Sequence, residues 1–232
     1  MQSLLIAFLI LLLVKTAFEF YLSKMKEKYA LARRDTLPEA FSGEMEPETY
    51  QKSVDYTVDK LRFGRLESIF GALLLGIILG TGLLWWLFQG LTGWFGEGVW
   101  GQAAVLFLIG VLLHLPMIPF EYFEQFSLEA RYGFNKSSVG LWWADQVKGL
   151  LVNAVLLIPL TALILAIVRW FPEWWWLVGF GVFFGFMLLM MVLYPMFILP
   201  LFNKLEPLPE GELKERLMNL ADRAQFQANT IQ

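Results

Sequence analysis

The chain has 232 residues, is 57% hydrophobic and only 17% charged, and carries a formal net charge of −3. Its mean hydropathy is +0.56, so it is read as an integral membrane protein rather than a soluble domain. So small a net charge, without an Arg- and Lys-rich run, argues against nucleic acid as a partner. The absence of cysteine excludes disulfides, thiol catalysis and Cys-based zinc sites.

Apolar runs of about 18 residues or more predict transmembrane helices. Five follow one another: residues 4–22, 69–88, 99–120, 150–168 and 174–199. Their length favours helices over barrel strands, which alternate over about ten residues. The first is interrupted by Lys15 and Glu19, four apart and able to pair on one helix face. A signal peptide fits it poorly, since no basic residue precedes the run and no small-x-small cleavage site follows. In the second, Gly71, Gly76, Gly80 and Gly82 are read as allowing close helix packing.

Lys and Arg concentrate between spans one and two, after span three and after span five, whereas "QGLTGWFGEGVWGQ" has none and the turn after span four has only Arg169. The positive-inside rule then places the N-terminus outside and the C-terminus in the cytoplasm. Trp85, Trp86, Trp94 and Trp100, and Trp170 with Trp174 to Trp176, form the outer aromatic belt. Trp142 and Trp143 mark the inner face.

The segment "EQFSLEARYGFNKSS" (124–138) is charged and turn-forming between two apolar runs. Span three is predicted to continue as a helix through "EYFEQFSLEARY", to end at a left-handed Gly133, and to pass to the next helix through a cap at Asn135. Phe134 and Val139 are spaced for a hydrophobic staple. A tight turn explains Gly133 and Asn135 without explaining why Glu121, Glu124, Glu129 and Arg131 crowd the membrane edge. These four either line the inner mouth of a chamber and contact another domain, or form a solvated helix face. His114, two turns before Glu121, either lines a chamber or is a neutral imidazole bonded to a neighbouring helix. A catalytic zinc needs three protein ligands, which this pair does not supply. Gln146 and Asn153, seven apart, mark a polar stripe that faces inward or bonds a neighbouring helix.

Beyond span five, Pro195 and Pro200 are expected to take the chain out of the bilayer. Residues 205–232 then form an amphipathic segment, with Leu213, Leu217 and Leu220 at helical spacing. "NTIQ" reads as strand-like, as though a folded domain begins there.

"FEQFSLEARYGFNKSS", "TYQKSVDYTVDKLRFG" and "YPMFILPLFNKLEPLPEGELKERL" resemble the type I CAAX prenyl endopeptidases, which are membrane-embedded zinc metallopeptidases. The resemblance covers nearly the whole chain. It implies seven helices ringed around a water-filled chamber, a cytosolic-side zinc peptidase domain with H-E-x-x-H, and membrane-associated peptide or protein substrates. The single histidine, His114, is followed by Leu115, so H-E-x-x-H is absent. The expectation is therefore an all-α, five-helix N-terminal membrane domain (1–204) followed by the start of a truncated cytosolic peptidase domain. It would be inactive alone and bind no zinc itself. Its partners would be the lipid bilayer, the substrate and the downstream peptidase domain, and its place a bacterial inner membrane or equivalent. The other reading is a non-enzymatic scaffold or small transporter. The motifs of the glutamate-type prenyl proteases, rhomboids and aspartyl intramembrane proteases are missing.

Overall fold

A computed structural model describes residues 2–38, 43, 45–203 and 208–224, all of it helix and connecting turns. The chain divides into two compact units, Met1–Leu165 and Ala166–Gln232. Five helices are long and apolar enough to cross a membrane, as expected. They run well past their apolar stretches, because hydropathy marks the bilayer and not the ends of a helix.

In the first unit α1 (Gln2–Leu31) and α2 (Pro47–Gly80) pack together. Leu9 meets Gly76, Glu19 bonds Ser68 and Glu27 bonds Arg62, a descending order that makes the pair antiparallel. Lys15 and Glu19 pair at 3.0 Å as their spacing requires. The long loop expected between the first two spans shrinks to 32–46. Lys24–Leu31 keep helical propensity without apolarity, and Pro47 starts α2 after an extended Glu46.

The predicted second span, 69–88, is two helices. α2 ends at Gly80, and Gly82, at φ +71°, opens α3 (Leu83–Phe95). Thr81 closes the end of α2 by donating its hydroxyl to the Ile77 carbonyl at 2.7 Å. Gly82 thus makes a turn rather than a packing face, and Gly71 and Gly80 approach no neighbour. Three residues, 96–98, connect α3 to α4 (Val99–Tyr132), along which α3 folds back. Such a link is shorter than α3, so the two must be antiparallel. At Gly101 a Cβ would collide with the carbonyl oxygens of Phe95 and Gly96, and only glycine fits. Ala103, Val105 and Ile109 of α4 are buried, as is Ile78 of α2.

α4 absorbs Pro116 and Pro119 with one tight 3-10 turn at Leu115–Met117, then widens into a π-helical turn over Glu124–Glu129. It ends at Gly133, φ +84°, as predicted. The Asn135 side chain accepts the Ser137 N–H at 2.8 Å. The cap of α5 (Val139–Trp170), however, is Ser138, whose hydroxyl accepts the Leu141 N–H at 3.2 Å. Asn135 makes an Asx turn ahead of the helix. Phe134 packs on Tyr56, with ring centroids 4.8 Å apart. α5 therefore begins eleven residues before the predicted fourth span and carries Trp142 and Trp143 within it.

The second unit holds the end of α5, then α6 (Trp175–Phe202) and α7 (Glu212–Arg223). α6 does not break at its prolines: a π-helical turn over Tyr194–Ile198 accommodates Pro195, and helix resumes at Leu199–Phe202. α7 is the predicted amphipathic helix, with Leu213, Leu217 and Leu220 exposed. The strand expected at Thr230 and Ile231 lies outside the described residues.

Candidate functional site

The predicted site residues fall into two neighbouring hollows joined by one carboxylate. The first is a groove of about 510 Å³ between α4 and α5. Its walls are apolar except for His114, Gln146, Asn153 and Thr161. The second is a polar recess of about 410 Å³ at the charged end of α4, where Glu121, Glu124, Glu129 and Asn135 converge. Glu121 lines the recess and bonds two residues of the groove. One of its oxygens lies 3.4 Å from His114 Nε2, and the other accepts the Gln146 side-chain amide at 3.0 Å. The two-turn spacing of His114 and Glu121 brings them together on α4, while Gln146 reaches across from α5.

The remaining predicted residues are claimed by α2. Lys60 stands between Glu124 and Glu129, at 3.2 and 3.0 Å, and the Tyr56 hydroxyl donates to Glu129 at 2.7 Å. Gln125 donates to Asn135 at 3.0 Å, fixing the turn against the recess. Arg131 does not join this group. It turns to Asp59 at 3.0 Å, where the Tyr132 hydroxyl also donates, at 2.8 Å.

Sequence reasoning missed the charged face of α2 altogether. Its basic residues served to orient the chain, and their helical spacing against the acids Asp55 and Asp59 was the unused signal. The deepest of the missed groups is Glu27, only 7% exposed. Arg62 Nε approaches it at 2.8 Å, Arg65 at 2.7 Å and Lys24 at 3.4 Å. Farther out, Arg34 grips Asp55 with two bonds of 2.7 Å.

These groups lie beyond the apolar runs. A 30 Å hydrocarbon core takes about 20 helical residues, which α1 supplies before Lys24, and on the α2 side the apolar run begins only after Glu67. The Arg62 hydrogen bond, with help from Arg65 and Lys24, lowers the Glu27 carboxyl to about 2 against the cost of burial. The Tyr56 hydroxyl, then Lys60, holds Glu129 below its ordinary value. Lys60 is raised in turn, chiefly by Glu129.

A zinc ion does not fit these side chains. Among the described residues no three His, Cys, Asp or Glu groups are placed to share a metal. His114 and Glu121 supply two donors, short of the three a catalytic zinc takes, and Lys60 occupies the space between Glu124 and Glu129.

Comparison with known proteins gives a consistent picture. The chain is 32% identical over 229 residues to the CAAX prenyl protease 1 homolog of Oryza sativa subsp. japonica, covering 95% of this chain and 52% of that protein. Against CAAX prenyl protease 1 of Saccharomyces cerevisiae the identity is 30% over 227 residues, 93% of this chain and 49% of the yeast protein. The crystal structure of S. mikatae Ste24p superimposes with a TM-score of 0.86 at 27% identity, over 96% of this chain and 52% of that one. The chain thus spans about half the length of the relatives it matches. All three are eukaryotic, so the expected bacterial inner membrane finds no support in them. Residues 27–204 match the family described as CAAX prenyl protease N-terminal, five membrane helices. With that match over most of its length, the chain belongs to the CAAX prenyl protease N-terminal family.

Proposed function

We propose that this chain is the membrane part of a zinc metalloendopeptidase of the CAAX prenyl protease type. It builds part of the wall of a water-filled chamber, admits a membrane-associated peptide or protein, and positions a cytosolic peptidase domain. The observation that carries the reading is the α4–α5 groove, whose polar residues His114, Gln146 and Asn153 lead to Glu121 at the charged mouth. Polar and ionisable groups at membrane depth usually face a cavity or a partner. The concentration of Lys and Arg supports a cytoplasmic charged end, with the N-terminus outside. A single histidine leaves no H-E-x-x-H in this sequence, so the metal and its chemistry belong to residues other than these. The chain alone is inactive as a peptidase.

The chain has no cysteine, which makes a labelling test direct. In proteoliposomes, Gln146→Cys and Asn153→Cys should react with a water-soluble, membrane-impermeant maleimide. Val155→Cys, at a position 72% exposed but outside the groove lining, should stay unlabelled. Labelling at 155 but not at 146 or 153 rejects the chamber wall. Independently, zinc-dependent cleavage of a farnesylated peptide by this chain would refute its inactivity.

A further inference from the structure

A third hollow, of about 520 Å³, lies between α2 and α4 and takes no part in the groove described above. Its composition changes along its length. At the membrane end Leu66, Pro119, Phe120 and Phe123 form an apolar floor, with Phe63 stacked 5.2 Å from Phe123. At the other end, about 10 Å farther along α2, stand Asp59, Arg62 and Arg131. The gradient from aromatic floor to guanidinium rim runs along the helices, as it does in a lipid from acyl chain to headgroup.

The rim carries surplus positive charge: among its lining residues Arg62 and Arg131 supply two cations against one carboxylate, Asp59. Arg131 is 62% exposed, and among the described residues meets only Asp59, through one nitrogen. A guanidinium has five N–H donors, so most of its capacity faces the open groove. Arg62 spends Nε on Glu27 and holds Asp59 only at 3.9 Å. Two planar forks set at the level where an apolar floor ends suit an oxyanion attached to a hydrocarbon chain.

We infer that this α2–α4 groove binds an anionic phospholipid, its phosphate on the outward N–H groups of Arg131 and Arg62, outside Asp59, which lies between the two guanidiniums, and an acyl chain along Phe63, Phe120 and Phe123. A lipid fits better than a free anion because the floor is apolar. It fits better than a prenylated peptide because the groove opens sideways, Leu66 being 60% exposed, on a face apart from the α4–α5 groove. Since Arg62 also holds Glu27, an occupied site ties the lipid to the α1–α2 pair.

Native mass spectrometry of the detergent-purified chain tests this, by titration with dioleoylphosphatidylserine and, separately, dioleoylphosphatidylcholine. The wild type should prefer the serine lipid by about five- to tenfold. Arg131→Gln should remove the preference and Arg131→Lys keep most of it, with circular dichroism showing both folded. Phe123→Ala should weaken both lipids together, since either acyl chain uses the floor. A large excess of inorganic phosphate should leave the lipid bound. An unchanged preference in Arg131→Gln, or displacement by inorganic phosphate, overturns the assignment. Displacement of the serine lipid by a farnesylated peptide also overturns it, giving the groove to substrate. None of these readouts depends on a peptidase chamber.

Discussion

Truncating Glu27 is the sharpest test of how the charged ends of α1 and α2 are held. Removing one partner of a buried ion pair costs about 3–5 kcal/mol, because the other charge is left without compensation. Here the stranded groups differ. Arg62 and Lys24 are 54% and 53% exposed and recover water, whereas Arg65 is only 10% exposed. Arg65 keeps one bond, to the Ser23 hydroxyl at 3.2 Å. One stranded cation instead of three puts Glu27→Ala at about 3 kcal/mol, the lower end of that range. Glu27→Gln, which retains an acceptor, should cost about half as much. Mixed-micelle SDS unfolding followed by circular dichroism measures both. The Glu27→Ala/Arg65→Ala double variant should recover about 1 kcal/mol or more of the summed single losses. The pH dependence has a definite sign. The folded carboxyl is depressed from 4.5 to about 2, so its contribution is complete above 4.5 and fades as pH falls towards 2. The gap between wild type and Glu27→Gln should close over that window and stay constant above it. A loss below about 0.5 kcal/mol for Glu27→Ala, or a strictly additive double variant, refutes the reasoning.

Two further outcomes follow from the turn and the recess. Gly133→Ala forces an L side chain into φ +84° and should cost about 1 kcal/mol, with Gly133→Asn tolerated better, as thermal unfolding in detergent will show. Tyr56→Phe removes a 2.7 Å bond to the Glu129 carboxylate and should cost about 1.5 kcal/mol in the SDS assay. Its ring contacts with Tyr132 and Phe134 survive, so a loss as large as that of Tyr56→Ala means that packing, not the hydroxyl, matters there.

Membrane class and the number of spanning helices were legible in the sequence because a bilayer imposes a length of apolar chain that little else explains. Helix ends were not. Lys24–Leu31 and Pro47–Glu67 are helical without being apolar, so a hydropathy reading turns two helix extensions into a loop. The break at Thr81–Gly82 sits inside a run whose hydropathy never falters, and its only trace is Gly80-Thr81-Gly82. At Pro195 the reverse holds, since a widened turn lets the helix continue where the residue argues for an exit. The pairing of His114 with Glu121 was readable because both lie on one helix. Their link to Gln146 was not, because it depends on how the Gly133–Ser138 turn sets α5 against α4. Arg131 shows the same limit: its neighbours in sequence are acids of the recess, and its partner is Asp59, 72 residues away.

The acids at the membrane edge, alike in sequence, separate once their partners are counted. Glu124 and Glu129 share Lys60, and Glu129 takes the Tyr56 hydroxyl as well, so both bind α4 to α2. Glu121 meets no Lys or Arg among the described residues. Its neighbours are an amide and an imidazole, both at the end of the α4–α5 groove. The acid that takes no part in holding α4 to α2 is therefore the one that links His114 to Gln146 at the end of the α4–α5 groove.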